Sequence, residues 1–181
     1  IYIIAEAGVN HNGDAKQALR LIEAASDAGA DAVKFQTFKA EHIARQDTPK
    51  AEYQLKQTDP EQSQLEMLGE LELSEDAYSD LLKACESHGI DFLSTPYSEE
   101  DVRFLDRLGV HAFKLASLSV AEPHFVRYVA AFGKPVYLST GMATLEEIHL
   151  CLNALNTSHR ELVTLLQCTS NYPTALEEAN I

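Results

Sequence analysis

Ala28-Gly29-Ala30-Asp31-Ala32-Val33-Lys34-Phe35-Gln36-Thr37 is the stretch that decides the fold. A helical pattern stops at a glycine, and an apolar strand closing on polar groups follows at once. The same punctuation returns as His88-Gly89-Ile90-Asp91 before residues 92–96, Leu108-Gly109-Val110-His111 before 112–117, and Phe132-Gly133-Lys134-Pro135 before 136–140. Glycine after a helix supplies the left-handed residue that other side chains resist. The last three of these glycines are 20 and 24 residues apart, the period of a strand-helix unit.

Working outward, the segments between carry helical stripes. Ala18, Leu19, Ile22, Ala25 and Ala28 form one; Leu81, Leu82 and Cys85 another, behind Ser74 as the expected N-cap. Val102, Leu105 and Leu108 form a third, and Leu145, Ile148, Leu152 and Leu155 a fourth. A first strand over 2–7 and a sixth over 162–168 complete six βα units, with a seventh begun. Apolar strands alternating with helices mean a parallel sheet. An open nucleotide-binding sheet would follow its first strand with G-x-G-x-x-G, but here Asn10-His11-Asn12-Gly13 follows. Every strand instead ends in polar side chains, as in a (β/α)8 TIM barrel. The expected fold class is therefore α/β, a barrel of which about six units are present in a truncated chain. Residues 38–73 interrupt the rhythm as one long excursion, with a short helix expected over 64–73.

Composition narrows the function. The 181 residues are 45% hydrophobic, enough for a core, and carry a net charge of −14, which excludes a basic nucleic-acid face. No apolar run approaches the length of a membrane span, and no secretory leader is visible. Cys85, Cys151 and Cys168 form an odd set without metal spacing, which points to free thiols and a cytoplasmic location.

The candidate chemistry lies at the strand ends. Lys34 and Lys114 sit inside apolar strands, where a lysine has to be paired or face a ligand. Alternation puts Gln36 on the same face as Lys34. Ser117, Ser139 and Ser170 follow their strands beside Lys114, and an ammonium with hydroxyls and turn N–H groups suits a phosphate. Glu6 reads as a buried acid in the first strand, with His11 near the same rim. The other histidines read as surface groups, and Cys168 reads as core.

Five segments resemble one family: Ala5-Glu6-Ala7-Gly8-Val9-Asn10-His11-Asn12-Gly13-Asp14, Ala32-Val33-Lys34-Phe35-Gln36-Thr37, Phe92-Leu93-Ser94-Thr95-Pro96-Tyr97, Lys134-Pro135-Val136-Tyr137-Leu138-Ser139-Thr140-Gly141-Met142-Ala143-Thr144, and Gln167-Cys168-Thr169-Ser170-Asn171-Tyr172-Pro173-Thr174. In order and over the whole chain they are similar to the N-acetylneuraminate synthases, a family that includes legionaminic and pseudaminic acid synthases and a spore-coat polysaccharide branch. The resemblance implies condensation of phosphoenolpyruvate with an N-acetylated amino sugar, such as N-acetylmannosamine. The product would be a nine-carbon 2-keto-3-deoxy acid, with release of phosphate. It also implies a homodimer, a Mn2+ or Mg2+ ion, and a small antifreeze-like domain after the barrel. On this reading residues 1–181 are the N-terminal part of the barrel domain; the last two βα units, the second domain and the metal ligands lie outside it.

Carried across, Lys34 and Thr95 match positions for the phosphoenolpyruvate carboxylate. Lys114, Ser117, Ser139 and Ser170 match the phosphate site, and Gln36, Tyr97, Asn171 and Tyr172 the substrate. Glu6 matches an acid near the reacting centre, so Glu6, Lys34 and Lys114 are the expected catalytic set. One departure is Ser119, where the family usually carries an acid; Glu122 stands three residues on. Two rivals remain on the residues alone. One is a class I aldolase with Lys34 or Lys114 as Schiff-base nucleophile. The other is a non-catalytic barrel that binds sugar acids or phosphate.

Overall fold

The computed structural model describes residues 1–50, 59, 62–171 and 174–180. The chain divides into two compact units, Ile1–Asp101 and Val102–Ile181.

In the first unit, β1 (Ile4–Gly8), β2 (Ala32–Thr37) and β3 (Asp91–Pro96) form a parallel sheet in the order β1-β2-β3. The β2 bounds are those read from the sequence. Phe35 is completely buried, stacked on Phe92 with ring centroids 5.7 Å apart. Three helices surround this core: α1 (Ala15–Asp27), the short α2 (Ala40–Ile43) and α3 (Gln64–Gly69). The Asp14 carboxylate accepts from the Lys16 N–H and starts α1, whose Ala18 and Ile22 are buried. Ala28, expected in the same stripe, is the exposed C-cap. The helix expected over 64–73 is present as α3. Ser63 and Glu66 begin it with a reciprocal capping box, and Met67 and Leu73 are buried. Much of the remaining excursion, including 51–58, lies outside the described residues.

Helix α4 (Glu75–His88) covers one face of this sheet. Its Tyr78 meets Phe92 edge-on at 6.4 Å and donates to the Gln36 carbonyl at 3.2 Å. Burial pushes the Tyr78 phenol up to about 12, so it remains a donor at any working pH. Helix α5 (Glu99–Arg107) starts where Ser98 Oγ accepts from the Asp101 N–H.

His11 corrects the sequence reading. Its ring is 1% exposed and lies 6.1 Å from Phe35. Strand alternation puts Phe35 on the face opposite Lys34 and Gln36, so His11 belongs to the helix-covered side rather than the polar rim. Nδ1 accepts from the Gly13 N–H at 3.1 Å, while Nε2 is buried without a hydrogen-bond partner. Burial holds the His11 pKa below the ordinary value of 6.5, which keeps the folded ring neutral. The unfolded chain takes up a proton below 6.5 that the folded ring resists. Stability is therefore lost as pH falls through that value. Urea midpoints measured from pH 7 to pH 5 should decline, and His11→Asn should flatten the decline. An equal decline in the variant would assign it to other groups.

In the second unit, β4 (Phe113–Leu115), β5 (Val136–Ser139) and β6 (Val163–Leu166) form a parallel sheet in the order β4-β5-β6. Around it are α6 (Pro123–Ala130), α7 (Leu145–Asn153) and α8 (Thr157–Glu161). Proline in the first turn of α6 loses no hydrogen bond there. Thr144 and Glu147 close a capping box on α7. The α7 stripe holds at its far end and not at its start: Leu155, just past the helix, is buried as expected and so is Cys151, whereas Leu145, at the first helical position, is 76% exposed.

Strands are shorter than read wherever a terminal residue turns away early. β1 begins at Ile4 because the Ile3 N–H is held by the Asp31 carboxylate at 2.6 Å rather than by a neighbouring strand. β4 stops at Leu115 because Ser117–Ala121 winds into a 3-10 turn. No helix among the described residues is long and apolar enough to cross a membrane.

Candidate functional site

In the first unit, the register brings Glu6 beside Lys34 and Gln36 beside Thr95 on the face away from α4. Lys34 is 9% exposed, and its Nζ lies 2.5 Å from a Glu6 carboxylate oxygen. The Tyr97 hydroxyl donates to Gln36 Oε1 at 3.3 Å. The Tyr97 backbone is fixed by its N–H to Asp101 Oδ2 at 3.1 Å, and its ring by an edge contact with Phe38 at 6.0 Å. Glu6, Lys34, Gln36, Thr95 and Tyr97 thus form one polar face. Glu6 differs from expectation: its side chain is 48% exposed. Among the described residues only β2 flanks β1, which leaves the Glu6 side chain open to water. Gly8 preserves the space beside it, because a Cβ there would lie 2.9 Å from Glu6 Oε1 at a φ of +54°.

In the second unit, Lys114 is 8% exposed. Its Nζ donates to the Leu115 carbonyl at 2.8 Å and to Ser139 Oγ at 2.5 Å. The Cys168 thiol donates to the same Ser139 oxygen at 3.3 Å. Cys168 is therefore not core as expected; β6 ends at Leu166, and the cysteine lies half-buried beyond it. A Cβ built on Gly141 would lie 2.6 Å from Ser170 Oγ, 3.0 Å from Ser117 Oγ and 3.3 Å from the Cys168 carbonyl. Two serine hydroxyls thus crowd the same side of a glycine, where any side chain would displace them. Asn171 turns instead to its own loop, with Nδ2 3.4 Å from Glu178 Oε2. Tyr172 lies outside the described residues. Ser119 is buried, so an acid at that position would have to be desolvated. Glu122 is exposed, at the N-cap of α6.

Gly141 and Cys168 are the residues that sequence reasoning missed. The only available signal was a glycine directly after a strand-end Ser-Thr pair. For the expected divalent cation, the donor sets do not fit. Among the described residues no three His, Cys, Asp or Glu side chains gather as a ligand group.

The NeuB family pattern matches residues 21–181. The chain belongs to the NeuB family. N,N'-diacetyllegionaminic acid synthase of Campylobacter jejuni is 46% identical over 99% of this chain and 54% of its own length. The enzyme of the same name from Legionella pneumophila is 41% identical, over 99% and 52%. The crystal structure of N-acetylneuraminic acid (sialic acid) synthetase from Leptospira borgpetersenii superposes with a TM-score of 0.85 at 29% identity, covering 99% of this chain and 58% of that one. NeuB relatives named for other products, a pseudaminic acid synthase and a human N-acetylneuraminate-9-phosphate synthase, are 34% and 33% identical. The chain spans about half the length of the curated relatives it matches. The fold class is the α/β barrel type expected from the strand-helix rhythm, with six strands among the described residues and helices after the first five.

Proposed function

We propose that the protein carrying this chain condenses phosphoenolpyruvate with an N-acetylated amino sugar. The product is a nine-carbon 2-keto-3-deoxy acid, and phosphate is released. The observation that carries this reading is the two serine hydroxyls at Gly141 together with the Lys114–Ser139 pair. An ammonium and neighbouring hydroxyls supply the charge and the donors that a phosphate takes.

Lys114, Ser117, Ser139 and Ser170 hold the phosphate, and Lys34 with Thr95 holds the carboxylate. Gln36, Tyr97 and Tyr172 meet the substrate; Asn171 would first have to leave Glu178 to do so. Glu6, paired with Lys34, orients the reacting centre or relays a proton. The new C–C bond joins C3 of the enol to the sugar aldehyde carbon. Water attacks C2, and the phosphate leaves with the electron pair of its C–O bond. Fixing the phosphate restrains the enol, so that C3 can meet the aldehyde carbon at near-attack distance. No step is assigned to a metal, because the described residues offer no ligand set for it. A homodimer and a cytoplasmic location belong to the same proposal.

Relatives with different named products lie close together in identity, so the sugar is found by assay. Phosphate release should follow addition of phosphoenolpyruvate together with one member of a panel of mono- and diacetylated amino sugars. Release with no sugar on such a panel would overturn the proposal. Borohydride treatment with an aldehyde substrate tests the aldolase alternative. No covalent lysine adduct is expected, because Lys34 Nζ is engaged by Glu6 and Lys114 Nζ donates to two oxygens.

A further inference from the structure

We infer that Cys168 is a positioning residue that fixes the direction of the Ser139 hydroxyl hydrogen, making that hydroxyl a dedicated donor to the bound anion. The inference rests on the phosphate reading of the Lys114 cluster and adds a residue to which that reading assigns no role.

A serine hydroxyl has one hydrogen and two acceptor lone pairs. Ser139 Oγ accepts from Lys114 Nζ at 2.5 Å and from the Cys168 thiol at 3.3 Å. Both lone-pair directions are then occupied, and the single O–H has to point along the remaining one. Ser139 is 7% exposed, so little water competes for that direction. Free rotation would let the hydroxyl offer a lone pair to the anion in some orientations, which is repulsive. The thiol removes those orientations before the ligand arrives, which is preorganisation in the sense of an oxyanion site. The thiol is suited to this as a weak donor that leaves the lysine contact dominant. Cys85 and Cys151 do not share the role: both are buried, and burial pushes the Cys85 thiol up to about 12.

The test is calorimetric titration of the protein carrying this chain with phosphoenolpyruvate and, separately, with inorganic phosphate. Cys168→Ala should weaken both ligands about two- to tenfold, the range of one neutral hydrogen bond. Cys168→Ser retains an O–H donor and should restore affinity. In a Ser139→Ala background, Cys168→Ala should have no further effect, because the hydroxyl it orients is gone. A purely structural role would instead weaken binding equally in both backgrounds and resist rescue by serine; either result overturns the inference. Lys114→Ala separates this failure from failure of the phosphate reading. If Lys114→Ala loses affinity while Cys168→Ala retains it, the site stands and the positioning role falls. If Lys114→Ala also retains it, the phosphate reading itself fails.

Discussion

Lys114→Ala is expected to weaken phosphoenolpyruvate binding by roughly ten- to a hundredfold or more. A charge-assisted hydrogen bond contributes about 1.5–3 kcal/mol, and the loss grows if its neighbours stay desolvated. Here they do: Ser139 and Leu115, which receive the two Lys114 hydrogen bonds, are both buried. Removing the ammonium strands the Ser139 oxygen and the Leu115 carbonyl as well as the anion. Lys114→Arg should rescue poorly, because the larger planar guanidinium does not fit a buried space shaped for a compact ammonium. Lys34→Ala makes a useful contrast. Its partner Glu6 is half exposed and can be rehydrated, so the penalty from the orphaned partner is smaller there. Calorimetry on the three variants checks the order. Unchanged affinity in Lys114→Ala would remove Lys114 from the phosphate site.

Lys34 and Lys114 were legible in the sequence because a charge inside an apolar strand is costly without a purpose. Both are buried where the local pattern puts them. The β2 segment was legible to the residue, since its apolar run is bounded by a glycine-ended helix on one side and polar groups on the other. Glu6 and His11 were misread for one shared reason. Strand periodicity gives alternation, but not which neighbours cover each face. Among the described residues only β2 flanks the strand of Glu6, and the turn after β1 brings His11 against Phe35. Leu145 was misread because a helical stripe of hydrophobics has a direction only once the helix is docked; Cys151, outside the expected stripe, is the fully buried position of the helix. Ser117, Gly141, Cys168 and Ser170 come from three different strand ends. Sequence spacing said that each lies near a rim. Their approach to one point, the side of Gly141, is a tertiary fact that no local pattern encodes.

That convergence makes Gly141→Ala the second large expected effect, and the more diagnostic one. The added methyl would stand 2.6 Å from Ser170 Oγ and 3.0 Å from Ser117 Oγ, closer than carbon and oxygen tolerate. Both hydroxyls sit on short side chains and can rotate away, and the Cys168 carbonyl at 3.3 Å has to give by only a few tenths of an ångström. No positive φ is recorded at Gly141, so alanine brings no left-handed strain. The fold should therefore survive, with a melting temperature within a few degrees of the parent protein. Anion binding should not survive intact. The methyl occupies the gap, and the displaced hydroxyls no longer converge; removing two neutral hydrogen bonds together corresponds to about ten- to a hundredfold in affinity. Gly29→Ala is the control. A Cβ there meets nothing within 4 Å, but φ is +78°, so that variant should lose stability while retaining affinity. Thermal melts and phosphoenolpyruvate titrations on the two variants should thus separate in opposite directions. If Gly141→Ala binds as tightly as the parent, the space beside Ser117 and Ser170 holds no ligand, and the oxyanion has to be sought elsewhere on the chain.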